Sequence, residues 1–547
     1  MNTSFKTSPQ ATIAMEKSEP IRLAFFLRQW FCTVTTCAAL LFPALVWSDD
    51  LTVLTYHDIT ADPGNDVYAV SRSMFVAHMD YLQTHGYQPI SLSQLEEYRE
   101  HPERMPAKAV MLTFDDGLTS YYKFVLPVLK TYQFPSVASV VTGWMDGKNT
   151  PPEYFGKLMS WDQLREISQS PLVEIVSHTH DLHHGIQSNP QGSQEAASVT
   201  RQYYPATQRY ESEETYRQRI QIDLQHSIER LHKELGIKPR AVTWPYGQFD
   251  NVLSGIATDL GLRYQFSLQD GPTALTELPQ IHRIMLMRSN NIEDFINELS
   301  YRWMAAEKKR FAVFNLDPFT QAESVQQQEQ LFSGLLDRLE PLHLNMVVLS
   351  AFSSDNAKTF FATGEMPLAA DVLRRAVHLL RTKLRVRHVY LHLPAKLPGK
   401  NLSPVYGELA RLVRFDGAVF DADIDGKTAK FIQKMLSDVH PNLQYGVFGT
   451  TGQPFEVDFV IATVDTDKSI ASNRTRAAQL KGINAKLYLL GQQVYDIDNF
   501  SPTALNERFQ ALDVQNYGFQ LNTAPLTTVL QKIDAPESTG SASGAGG

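Results

Sequence analysis

The chain has 547 residues, 43% of them hydrophobic and 20% charged, with a formal net charge of −9. These values exclude a fibrous or disordered class and suit two folded domains better than one. The acidic balance and the lack of a long Lys/Arg run argue against nucleic acid as a partner.

Residues 1–48 read as an export signal. Arg22 and Arg28 precede an apolar stretch from Trp30 to Trp47, and Val46-Trp47-Ser48 offers a cleavage site before Asp49. The alternative is an uncleaved anchor, since the 18 residues of that stretch can just span a bilayer. Cleavage would remove four Lys/Arg and two Glu, taking the net charge from −9 to −11. Both cysteines, Cys32 and Cys37, would leave with the segment, so disulfides play no part in the expected mature fold. The expected destination is the periplasm, with association at the outer membrane.

A βα alternation follows. Leu51–Tyr56, Ala109–Phe114, Ser136–Val141, Leu172–Val176, Ala241–Trp244 and Ile284–Met287 are short, nearly continuous apolar runs, the pattern of strands buried on both faces. Helices are predicted between them at Tyr121–Tyr132 and at Tyr216–Leu235, where Gly236 suits a stop. The polar stretch from Gly185 to about Glu213 reads as a long surface loop.

A second series begins near Arg310. Phe311–Asn315, Met346–Ser350, His388–Leu393, Gly417–Phe420, Gln444–Phe448, Phe459–Val464, Lys486–Leu490 and Gln515–Gln520 are about eight strands. Helical stretches separate most of them, one with Leu373, Val377 and Leu380 on a single face. This predicts an α/β chain with two barrel-like (β/α) units, over about 49–305 and 306–535, and a disordered Ser/Gly-rich tail over 536–547.

The residues able to do chemistry fall just after predicted strands: His57, Asp115-Asp116, His178, His183 and Trp244-Pro245-Tyr246-Gly247. In parallel βα architectures those strand ends share one face, so separate pieces of chain can build one site. One carboxylate with two imidazoles makes half the shell of a catalytic divalent metal. A second carboxylate beside it suits a general base. Asp-Asp-Gly alone is usually a turn and paired histidines alone are often surface residues, so the weight lies in their combination.

Thr113-Phe114-Asp115-Asp116 with His178-Thr179-x-x-x-His183 resembles the polysaccharide deacetylases of carbohydrate esterase family 4. That resemblance implies Asp115 as general base and Asp116, His178 and His183 as ligands of a divalent ion: zinc, nickel, cobalt or iron. His180 and His184 form the competing pair, ranked behind because Asp181, not Ser or Thr, follows His180. The five-residue histidine spacing is similar to the branch acting on poly-β-1,6-N-acetyl-D-glucosamine, the biofilm exopolysaccharide. Tyr56-His57-Asp58 after the first strand matches a circular permutation in that branch and implies His57 as general acid. The branch also carries a second, glycan-binding barrel, which residues beyond about 310 would supply.

The resemblance further implies that the Tyr246 N–H holds the oxyanion and that Trp244 and Pro245 line the substrate site. Thr243 stands where the family places an arginine that orients the base, leaving that role unassigned. In the second unit, Asp421 and Asp423 are expected polymer ligands, with Asp465 as another, and Ala422 between the first two argues against glycan hydrolysis there. The expected partners are the polymer and an outer-membrane export porin. Rival readings are a chitin or peptidoglycan deacetylase and a non-catalytic glycan-binding export factor.

Overall fold

A computed structural model describes residues 50–269, 271–301, 308–449, 456–464, 486–498, 501, 503 and 516–531. The expected export signal, the tail and Asp465 lie outside the described residues.

The first unit is a ten-stranded sheet. Asp50–Tyr56, Ala109–Phe114, Ser136–Val140, Val173–Ser177, Ala241–Thr243 and Tyr264–Phe266 lie side by side in chain order and parallel. All of Ala109–Phe114 is buried, because both faces of the strand are covered. Val110, Leu112 and Phe114 pack with Leu54, Tyr56 and helix residues such as Phe75 and Leu129. Met111 faces the opposite way, onto Val53, Val137 and Phe266.

The edges of this sheet are bridged by the chain itself. Gln280–Ile281 pairs with Tyr264–Phe266 at one edge, and Ile284–Met285 pairs with Asp50–Tyr56 near the other. Only His282 and Arg283 separate the two segments, so the sheet curls into a deformed barrel. The sequence places the last strand at Ile284–Met287 but misses Tyr264–Phe266 and Gln280–Ile281, since runs of two or three residues carry too little periodicity.

The second unit is a closed barrel of eight parallel strands, Lys309–Phe314, Met346–Ser350, His388–Leu393, Gly417–Phe420, Gln444–Phe448, Phe459–Val464, Lys486–Asp496 and Asn516–Asn522. Phe311, Met346, Val348, Tyr390, Val419 and Phe459 form one core cluster, while Ala312, Val347, Leu349 and Leu391 join the helices in another. The alternation is the period-two signature of strands buried on both faces. Leu373–Thr382 is the predicted amphipathic helix, with Leu373, Val377 and Leu380 buried.

The long helix runs from Glu213 to Leu235, capped by the Ser212 hydroxyl and ended by Gly236 in the left-handed region at φ 71°. The polar stretch before it is not a structureless loop. It forms two small antiparallel pairs, Gly185–Gln187 with Gln194–Ala196 and Tyr203–Tyr204 with Arg209–Tyr210. Several of its polar residues, among them Gln191, Glu195 and Tyr210, pair with the second barrel. Arg374, only 4% exposed, pairs with Glu195 at 2.7 Å, and the Tyr210 hydroxyl donates to Asp371 at 2.7 Å. Composition reads alike for solvated residues and for residues paired with a distant element, which is why the segment looked like a surface loop.

Candidate metal and active site

The adjacent aspartates leave the strand Ala109–Phe114 in different directions. Asp116 takes the left-handed conformation at φ 72°, which short polar residues tolerate best. Its Oδ2 accepts a hydrogen bond from the Tyr154 hydroxyl at 2.9 Å. Its Oδ1 is buried and has no hydrogen-bond partner, and the Nε2 atoms of His178 and His183 face it from 3.5 and 3.6 Å. These separations are too long for good hydrogen bonds. They match the spacing of about 3.4 Å between two ligands that each sit 2.0–2.2 Å from one tetrahedral ion. The three ligand atoms lie within 4.8 Å of one another. An orphaned buried carboxylate oxygen between two imidazole nitrogens therefore fits a divalent cation.

The imidazoles are held for that task. The His178 Nδ1–H donates to the carbonyl of Thr243 at 2.8 Å, which turns Nε2 toward Asp116. Burial and the neighbouring His178 push His183 down to about 4, so its ring is neutral and free to ligate near neutral pH. His180 turns away, its Nδ1 lying 3.0 Å from the Thr142 hydroxyl, and neither it nor His184 joins the group.

Asp115 is held by a residue the sequence did not single out. Arg283, in the short bridge between the sheet edges, donates from Nη1 to Asp115 Oδ1 at 2.9 Å, with side chains only 1% and 3% exposed. Its Nε donates to the Ser267 carbonyl at 3.0 Å. Burial opposes ionisation of Asp115, but the guanidinium, together with His178 and His57, outweighs it and holds the carboxyl below its ordinary range. Arg283 thus occupies the orienting position left vacant at Thr243, whose hydroxyl instead lies 2.7 Å from Ser139 Oγ. The available signal was a lone arginine between Ile281 and Ile284, two apolar positions near a strand end.

A cleft of about 530 Å³ opens beside the group, lined by His57, Tyr68, Trp144, Glu153, Tyr154, His183 and Tyr246. The His57 Nδ1 is buried without a hydrogen-bond partner. Tyr246 is 49% exposed and its ring centroid lies 4.7 Å from that of His183. Trp244 and Pro245 do not line the cleft. Trp244 is fully buried among Leu182, Ile220 and Leu253, so the Trp-Pro step anchors the turn in the core.

Gly247, at φ 65°, completes this turn, and a Cβ there would lie 2.3 Å from Leu268 Cβ and 2.5 Å from the Leu268 backbone nitrogen. Gly247→Ala is expected to destabilise the fold by about 2 kcal/mol or more, measured by urea unfolding, because both φ and space forbid a side chain.

Asp421 and Asp423 part company in the second barrel. Asp421 receives the His392 Nε2–H at 2.7 Å and lines a groove of about 610 Å³ with Asn315, Ser350 and Asp496. Asp423 is exposed and does not line it. Asp496, unmarked in the sequence, lines the groove beside Asp421.

A model of the polysaccharide deacetylase family matches residues 103–265. The Escherichia coli K12 protein named poly-beta-1,6-N-acetyl-D-glucosamine N-deacetylase is 29% identical over 355 residues, 62% of this chain and 52% of that protein. The chain thus spans about half the length of that curated relative. A Staphylococcus aureus protein of the same name is 25% identical over 44% of this chain and 74% of its own length. A solved de-N-acetylase from Aggregatibacter actinomycetemcomitans is 32% identical, covering 45% of this chain and 99% of that one, with a TM-score of 0.41. Residues 103–265 thus form a polysaccharide deacetylase domain.

Proposed function

We propose that the chain is a metal-dependent N-deacetylase of poly-β-1,6-N-acetyl-D-glucosamine, acting during biofilm exopolysaccharide export. One observation carries the reading: a carboxylate kept ionised by Arg283 stands next to the Asp116–His178–His183 group, beside a cleft that also holds His57. A divalent ion held by Asp116, His178 and His183 supplies Lewis acidity to the acetamide carbonyl and to the attacking water.

The chain's own residues do the rest. Asp115 takes a proton from the water as the new C–O bond forms. The Tyr246 N–H donates to the developing oxyanion. His57 gives a proton to the amine as the C–N bond breaks, leaving acetate and a glucosamine unit. Tyr68, Tyr154 and Tyr246 offer apolar faces to the sugar rings. The proposed division is a leader over 1–48, a deacetylase unit over 49–305 and a glycan-binding barrel over 306–535, whose groove beside Asp421 and Asp496 retains the polymer. Export to the periplasm, with hand-over of product to an outer-membrane porin, completes the proposal. Among the described residues no helix is long and apolar enough to cross a membrane.

Acetate release from β-1,6-linked N-acetylglucosamine oligomers, chitin oligomers and peptidoglycan tests the substrate. Fastest release from the β-1,6 series is expected. Faster release from either of the others reassigns the substrate, and none from any of the three leaves a glycan-binding factor.

The general acid has its own test. His57→Asn should slow amide hydrolysis about 10²–10⁴-fold. An activated acetyl ester, whose leaving group needs no proton, should be slowed much less. Equal loss on both substrates would remove His57 from the role.

A further inference from the structure

Histidines four apart on a helix have their separation set by the helix itself. His178 and His183 are five apart, outside any helix, so something else must fix the turn between them. That turn is costly to hold. Thr179 is fully buried and lies at φ 70°, a region where a β-branched residue is strained by about 1–3 kcal/mol.

Its backbone groups are gripped from two sides. On one side, Thr142 N–H donates to the Thr179 carbonyl at 3.2 Å and Gly143 N–H to the His180 carbonyl at 3.0 Å. The approach is so close that a Cβ on Gly143 would stand 2.3 Å from that carbonyl oxygen. On the other side stands Asp223, on the helix Glu213–Leu235 and 8% exposed. Its Oδ1 accepts the His180 N–H at 2.9 Å and its Oδ2 the Asp181 N–H at 2.7 Å. A buried carboxylate that only filled space would be replaced at a gain by an apolar residue. Asp223 instead uses both oxygens on two successive N–H groups of the segment joining the histidines.

We infer that Asp223 is a positioning residue of the metal centre, locking the His178–His183 turn so that both imidazoles meet Asp116 at ligand distance. It touches neither metal nor substrate and acts through the backbone of His180 and Asp181. Gly143 is its counterpart on the opposite side. The inference rests on Asp116, His178 and His183 being the ligands.

The test uses the full chain with zinc alone as the affinity probe, by chelator competition, and cobalt(II) absorption as the report on ligand geometry. Asp223→Ala loses both acceptors and is expected to weaken zinc binding about 10–100-fold, with altered cobalt bands and kcat falling more than KM changes. Asp223→Asn keeps one acceptor and should fall between, which preserves the test if the alanine variant folds poorly. Arg230→Gln, on the same helix but paired with Asp146 and Glu234, should change neither readout. His183→Ala is the reference for loss of a ligand. If His183→Ala loses zinc while both Asp223 variants keep wild-type affinity and spectra, with at most a lower unfolding midpoint, the positioning role is overturned and the ligand set stands. If His183→Ala also keeps zinc at full affinity, the ligand set itself falls, and this inference with it.

Discussion

Asp116→Asn is expected to reduce turnover to the background of chelator-treated protein, a fall of at least about 10³-fold. Asn is the informative replacement because it tolerates the left-handed backbone at φ 72° and can still accept from Tyr154. The substitution therefore removes a charge and a ligand with little change of shape. Stability should fall as well. Burial opposes the Asp116 charge, but the imidazoles of His178 and His183 outweigh it and hold the carboxyl well below its ordinary range, so neutralising it forfeits that stabilisation. The metal-free unfolding midpoint should then drop near neutral pH, and the stabilisation that added zinc confers on the wild-type chain should disappear. A variant that keeps both zinc-dependent stabilisation and turnover would remove Asp116 from the centre.

Asp115→Asn should slow deacetylation about 10²–10⁴-fold while leaving zinc affinity nearly unchanged, because Asp115 is not in the ligand group. Its partner predicts a second, coupled effect. Arg283→Gln leaves a buried carboxylate without its cation, a loss of about 3–5 kcal/mol of stability. The same change frees the base to rotate and take up a proton, so the rate should fall as well. Combining the two substitutions removes both charges at once. The double variant should recover part of the stability lost by Arg283→Gln and be no slower than Asp115→Asn alone, since the residues act as one unit. Urea unfolding and acetate release on the four proteins close the cycle. Additive losses in rate would mean that Arg283 serves the reaction by some route other than Asp115.

Much of the architecture was legible locally. Eight apolar runs beyond residue 308 are eight barrel strands, because a strand buried on both faces must be apolar along its own length. The same reasoning located Asp115, Asp116, His57 and His178, which follow such runs and so reach the face where strand ends meet. Trp244 was misread for a related reason. Its place after a strand is local information, but whether its ring turns into the core or the cleft depends on Leu182, Ile220 and Leu253 from elsewhere in the chain.

The longer strands, the two aspartates, the paired histidines and the family resemblance were determined by the sequence itself, since each rests on residue types within a few positions of one another. Only the tertiary structure decided which groups hold them. Arg283 reaches Asp115 across 168 residues, Tyr154 reaches Asp116 across 38, and Asp223 reaches the turn after His178 across 43. It likewise turned the polar stretch after Gly185 into a clasp on the second barrel and left Asp423 outside the groove that Asp421 lines. Hydrophobic periodicity records which face of an element is buried, whereas the partner of a polar side chain is chosen by chain closure and packing, which no local pattern encodes.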